Sequence, residues 1–159
     1  MIAIRPATPE DIPALWALRT RAVRVTCAAH YSHDEIACWT SLPAPEHSYR
    51  MMIEEGSALV AEEARCPLGY ALLKLARGEV EGFFVDPDHG RRGVGTRLLK
   101  ALEEIALAHG LRWLKLFAAL NAVAFYRANG FTAIRAERFP HPSGVTLDCV
   151  YMEKPLQHG

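Results

Sequence analysis

Residues 79–99 constrain the fold of this chain more than any other stretch. An apolar strand, Glu81 to Val85, runs through Asp86-Pro87 into the loop Asp88-His89-Gly90-Arg91-Arg92-Gly93-Val94-Gly95, and a helix carrying Thr96-Arg97-Leu98-Leu99 opens at once. Strand, tight loop and helix in immediate succession aim the unpaired N–H groups of a helix start at one point beside the end of a strand, and such a point binds anions, phosphate above all. Gly93 and Gly95 let the backbone approach an anion with no Cβ in the way. Arg91, Arg92 and Arg97 add positive charge close by. The glycine order Gly90-x-x-Gly93-x-Gly95 is not the G-x-G-x-x-G of dinucleotide folds, and no Gly-Lys-Ser/Thr follows it, so neither a Rossmann fingerprint nor a P-loop is present.

The remainder reads as alternating strands and helices around that unit. Residues 2–5 form a short strand. Thr8-Pro9-Glu10-Asp11 is a helix start, with Thr8 as N-cap, and Ile12, Leu15, Leu18, Ala22 and Val25 follow at helical spacing to about residue 27. Ser32 and Glu35 make a capping box for a shorter helix through Trp39. A further short helix is expected near 47–52, strands over 57–63, 68–76 and 78–85, and a helix over 93–109 with the stripe Val94, Leu98, Leu102, Ile105, stopped by Gly110. Residues 111–118 read as a strand, 121–129 as a helix closed by Gly130, and 131–139 and 145–153 as two last strands. No repeat or linker divides the chain, and 159 residues suit a single domain spanning residues 1–159.

Composition narrows the partners. Eighteen basic residues balance eighteen acidic ones, which gives no support for nucleic acid as the main partner. No apolar run is long enough to span a bilayer, and the opening Met1-Ile2-Ala3-Ile4-Arg5 lacks the pattern of a signal peptide. Cys27, Cys38, Cys66 and Cys149 show no metal-ligand spacing and read as reduced thiols, so no metal and a cytoplasmic location are expected. The basic excess is local, at Arg91 to Arg97.

A second segment, Asn121-Ala-Val-Ala-Phe125-Tyr126-Arg-Ala-Asn129-Gly130-Phe131, lies one helix and one strand beyond the first. Together, R-R-G-V-G-T-R-L-L after a strand and a Pro turn, then N-x-x-A-F-Y-x-x-x-G-F, resemble the GCN5-related N-acetyltransferases, in particular a subgroup of small bacterial enzymes. The resemblance covers roughly residues 2–155. The family's Q/R-x-x-G-x-G/A loop has Gly90 at its first position here, so the side-chain contact made there falls to Arg91 or Arg92.

The resemblance implies a mixed α/β fold: a mostly antiparallel sheet splayed at one parallel strand pair, flanked by helices, with a right-handed crossover between the strands ending at Val85 and Ala118. It implies acetyl-CoA as donor, bound by backbone groups of Phe84 and Val85, by Gly90, Arg91, Arg92, Gly93, Val94, Gly95 and Thr96, and by Asn121 on the pantetheine arm. Asn121 also reads as the N-cap of its helix. Transfer to an amine needs a neutral nucleophile, a stabilised oxyanion and a protonated leaving group. Tyr126 is the acid toward the thiolate. Glu81 is the first candidate for the base and Glu79 the second, either acting through water; two apart on one strand, they share a face. Backbone N–H groups of Gly82–Val85 are the oxyanion donors, and no covalent relay through Cys149 is expected. Tyr31 and Trp39 are candidates for the acceptor site, and His141 for its fringe. A small-molecule amine is favoured over a protein as acceptor. Dimers are common in the family, and the last two strands offer edges for pairing. The rival reading is a non-catalytic acyl-CoA binding module on the same fold.

Overall fold

Seven strands form one sheet in the order β1-β2-β3-β4-β5-β7-β6. The computed structural model describes residues 1–90 and 92–157. The strands are β1 (Ala3–Pro6), β2 (Ala58–Glu63), β3 (Cys66–Lys74), β4 (Glu79–Val85), β5 (Trp113–Ala119), β6 (Thr132–Pro140) and β7 (Thr146–Pro155). The helices are α1 (Ile12–Thr26), α2 (His33–Trp39), α3 (Glu46–Glu54), α4 (Val94–Ala108) and α5 (Val123–Ala128). Every strand pair is antiparallel except β4 with β5.

The parallel pair decides the shape of the site. It holds at one register position, Glu79 opposite Lys115, and the two strands part beyond it. On its other edge β4 slips register against β3 between Leu72 and Leu73, which leaves Glu81 as an extra residue with no partner. A bulge of this kind bends its strand and re-aims side chains. Here it lies at the point where β4 swings away from β5.

Helices cover both faces. On one, Val94, Leu98, Leu99, Leu102 and Ala106 of α4 pack over Leu59, Ala61, Ala71 and Leu73 of β2 and β3, with Tyr126 of α5 in the same cluster. On the other, Ile12, Leu15 and Leu18 of α1 and Tyr49 and Met52 of α3 close over Val60, Tyr70 and Leu72. A third cluster, Val23, Cys27, Tyr31 and Leu147, ties the end of α1 to β7. Leu102 has no exposed surface, so Leu102→Ala should lower the unfolding free energy by about 2–5 kcal/mol. Urea denaturation measures this, and a loss under about 1 kcal/mol would mean that α4 is not seated in the core.

Several local expectations are corrected. Thr8 caps a 3₁₀ turn, Pro9–Asp11, which leads into α1. The Asp11 carboxylate accepts the Thr8 N–H at 2.7 Å and forms an ion pair with Arg5 at 2.8 Å. Val25 is 62% exposed, because the buried face of α1 is centred on Ile12, Leu15, Arg19, Ala22 and Val23 and leaves position 25 on its flank. Asn121 is not the N-cap of α5; it sits inside a 3₁₀ turn, Leu120–Ala122, and Ala122 holds the cap position. Of the last two strands, β7 lies between β5 and β6, so β6 alone offers an edge there. The Ser32–Glu35 capping box is present, with Glu35 N donating to Ser32 Oγ at 3.0 Å and Ser32 N to Glu35 Oε1 at 2.8 Å.

Candidate active site

The parting of β4 from β5 opens a cavity of about 1050 Å³ that runs from the α4 N-terminus, between the strands, to the C-terminal half of α1. At its α4 end Gly93 caps the helix with φ +74°, in the left-handed region that suits glycine, and no side chain among the described residues caps the first turn. The first-turn amides therefore have no partner within the helix. A Cβ on Gly95 would stand 3.0 Å from Cε1 and Cζ of Phe125, so the close approach of α4 to α5 needs a glycine. Gly90 is different: its backbone is ordinary right-handed helical, and an added Cβ would meet nothing nearer than the Pro87 carbonyl at 3.9 Å.

Gly90, Gly93, Gly95, Thr96, Phe84, Val85, Asn121, Tyr126, Glu79, Glu81, Tyr31 and Trp39 all line this cavity. Three expected donor contacts fall otherwise. Arg91 lies outside the described residues. Arg92 is committed elsewhere, its guanidinium forming a two-pronged pair with Glu63 at 2.9 and 2.8 Å, which with the N-terminal ammonium holds that carboxyl down at about 2. Val94 is fully buried in the core and is not among the residues that line the cavity.

At the centre, Phe83, Phe125 and Phe131 pack around the Tyr126 ring. Among the described residues the Tyr126 hydroxyl makes no hydrogen bond, and burial raises its pKa, so it stays protonated at neutral pH. Asn121 Oδ1 is buried without a partner among the described residues. An unpaired amide oxygen in a cleft wall is an acceptor set for an incoming N–H.

The two carboxylates differ. Glu81 forms an ion pair with Lys74 at 2.9 Å. Glu79 is half-buried, and burial, followed by the neighbouring charge of Glu81, raises its pKa. Burial thus acts on Glu79, the second candidate from sequence, while Glu81, the first, is engaged by an ammonium.

Tyr31 is a structural strut as well as a wall. Its hydroxyl accepts the Leu120 N–H at 3.0 Å and donates to the Asp148 carbonyl, its ring meets Trp39 edge-on, and burial pushes its pKa up to about 12. His141 also lines the cavity; its Nδ1 accepts the Ser143 N–H at 3.1 Å. Sequence reading passed over three features here. Arg19 of α1 lies in the cavity wall, 5% exposed. Asp86, in the turn before the glycine loop, is tied to Arg21 of α1. Tyr49 and Tyr70 join hydroxyls at 2.8 Å under the same cavity. The one signal for Arg19 in the sequence is a charge at the middle of an apolar stripe, four residues after Leu15 and four before Val23.

Among the described residues no helix is long and apolar enough to cross a membrane, and no cluster of His, Cys, Asp and Glu could hold a metal ion. Comparison with known proteins is consistent across sequence and structure. A curated relative, an uncharacterised N-acetyltransferase, YafP, of Escherichia coli, is 29% identical over 157 residues, 99% of this chain and 98% of that protein. The crystal structure of a GCN5-related N-acetyltransferase from Rhodopseudomonas palustris superposes with a TM-score of 0.86 at 29% identity, covering 97% of this chain and 95% of that one. The PaiA N-acetyltransferase of Thermoplasma acidophilum, solved in complex with coenzyme A, shares the fold with a TM-score of 0.79 at 22% identity over 98% of this chain and 99% of that one. The model of the acetyltransferase (GNAT) domain matches residues 27–146, and with the loop, the splayed strands and the Asn121–Tyr126 segment on one cavity, the chain belongs to the GNAT family of acetyltransferases.

Proposed function

We propose that this protein transfers the acetyl group of acetyl-CoA to the primary amine of a small molecule, by direct attack in a ternary complex. The observation that carries the proposal is the meeting of a helix-start anion site, an unpaired Asn121 oxygen, a free Tyr126 hydroxyl and an elevated carboxylate, Glu79, along one cavity. The residues fit the donor. The Gly93–Thr96 backbone suits the pyrophosphate, Asn121 Oδ1 suits an amide N–H of the pantetheine arm, and the freed edge of β4 near Phe84 and Val85 suits its other amide groups. Acetyl-CoA supplies the activated thioester.

The chain's own groups do the rest. Glu79, through water, takes the proton that the attacking ammonium must lose; raised above the usual carboxylate range, it is a better base than an exposed glutamate. Amides of Gly82–Val85 on the open edge of β4 steady the charge that develops on the carbonyl oxygen. Tyr126 donates a hydrogen bond to the departing sulfur. Because burial makes this phenol a weaker acid than usual, stabilising the sulfur by hydrogen bonding is better matched to it than complete proton transfer.

Two measurements test the reading. Calorimetric titration should give micromolar affinity for acetyl-CoA and none for ATP or NAD, and an amine screen should release thiol. Binding with no turnover on any amine would instead support a non-catalytic acyl-CoA binding module. Tyr126→Phe keeps the packed ring and removes only the hydroxyl. It should lower kcat by roughly 10- to 100-fold and leave acetyl-CoA affinity unchanged; wild-type turnover would remove Tyr126 from the mechanism.

A further inference from the structure

The C-terminal half of α1 carries a cation that the fold does not neutralise. Arg19 sits at the middle of the buried face of its helix, between Leu15 and Val23. Its guanidinium lies 4.2 Å from the centre of the Trp16 ring, and Nη2 donates to the Trp39 carbonyl at 3.1 Å. Nη1 is buried and has no partner among the described residues. Among the described residues no carboxylate forms an ion pair with it, and the ionisable groups that act on it are Tyr70, Tyr49 and Cys27, all neutral at physiological pH. The contrast within the same helix is direct, since Arg21 is paired with the buried Asp86.

A guanidinium does not shed its proton in a protein, and a buried, unpaired charge is destabilising. A group of this kind calls for an anion that arrives from outside. Arg19 lines the same cavity as Glu79 and Glu81. His141 lines it too, and burial together with the Arg19 charge keeps that imidazole neutral. With Nδ1 accepting from Ser143 N, its proton is on Nε2, a second donor for the same anion.

Resting on the acetyl-transfer reading above, we propose that the acceptor bears a carboxylate held by Arg19, so that the substrate is a free amino acid. Its ammonium lies toward Glu79 and Glu81, and its side chain is taken up among the rings of Trp16, Trp39 and Tyr49, which favours apolar over charged side chains. The fork of the guanidinium matches a carboxylate with two parallel hydrogen bonds.

The test compares matched acceptors that differ only in the carboxylate: phenylalanine against phenethylamine, and leucine against isoamylamine. Thiol release is followed in wild type, Arg19→Met and Arg19→Lys. Wild type should prefer the amino acid of each pair by on the order of 100-fold in kcat/KM. Arg19→Met should lose that preference through KM for the amino acid, leave the plain amine unaffected and keep acetyl-CoA affinity. Arg19→Lys should recover part of it. Arg19→Met should also unfold at an equal or higher temperature, because an unpaired buried charge is replaced by an apolar chain of similar length; a residue with a purely structural role would show the reverse.

Equal or better use of the plain amine by wild type would overturn the proposal, as would an Arg19→Met variant that is less stable yet keeps the preference. Should Arg19→Met fail to fold, the matched pairs on wild type decide alone. If acetyl-CoA does not bind, the acetyl-transfer reading falls. Calorimetry with phenylalanine and leucine then still reads the Arg19 site: binding lost in Arg19→Met supports it, and no binding to wild type overturns it.

Discussion

Gly95→Asp should weaken acetyl-CoA binding by more than about 100-fold while leaving a folded protein. Two effects act together at this residue. The position admits no Cβ without moving the Phe125 ring, whose Cε1 and Cζ would lie 3.0 Å away. A carboxylate at the first turn of α4 also brings negative charge to the amides that are to face the pyrophosphate. Negative charge near a helix start normally stabilises the helix, which offsets part of the steric cost to the fold while the site loses affinity. Gly95→Ala separates the causes, because it keeps the steric contact without the charge and should have the smaller effect. Calorimetric titration of both variants measures the difference, and circular dichroism verifies the fold. Unchanged affinity in Gly95→Asp would detach the glycine loop from donor binding altogether. Gly90 supplies the opposite control. With open space around its Cβ position and an ordinary backbone, Gly90→Gln should be tolerated and should tighten binding if a side chain there reaches the donor.

The second large effect is expected at Glu79. A general base works in its deprotonated form, so kcat/KM should fall as pH falls through its pKa. Burial raises that pKa, and the charge of Glu81 raises it further, so the acid limb of the profile should lie above the range of an ordinary glutamate. Glu79→Gln should remove the limb and reduce kcat/KM at neutral pH by on the order of 100-fold. Glu81→Gln should do something different. It takes away the neighbouring charge and leaves the burial, so Glu79 titrates lower and the limb moves to lower pH. A profile unaltered in Glu79→Gln, and altered in shape in Glu81→Gln, would return the role to Glu81.

Both predictions concern residues found from sequence, but the arguments for them come from different levels. The glycine loop was legible because its chemistry is local. A helix that opens directly after a loop exposes its own amides, whatever the remainder of the chain does, and Gly93 stands at the cap of that helix in a left-handed conformation. The capping box at Ser32 and Glu35 and the stop of α4 before Gly110 follow from the same short-range physics. The family resemblance added the pairing of this loop with the Asn121–Tyr126 segment, and both segments do border one cavity.

The rest depends on groups far apart in the chain. Arg92 looked free to replace the missing side chain at Gly90, yet Glu63 of β2 takes its guanidinium. The ranking of Glu79 and Glu81 turned on the Lys74 ammonium from β3 and on how far each carboxyl is buried. Val25, expected on the buried stripe, faces outward, and Arg19, which the apolar spacing passed over, lies inward, because the sheet, and not the spacing of α1 alone, fixes which flank of the helix is covered. The sequence by itself therefore determined most of the elements, the Ser32–Glu35 cap, the glycine loop at the start of α4 and the residue types brought to the cleft, all set by contacts within a few positions of one another. Only the tertiary structure decided the insertion of β7 between β5 and β6, the parting of β4 from β5, the partners of Arg92 and Glu81, and the isolation of Arg19. Burial and charge neighbours are properties of packed surfaces, and those surfaces exist only once strands distant in sequence have come together.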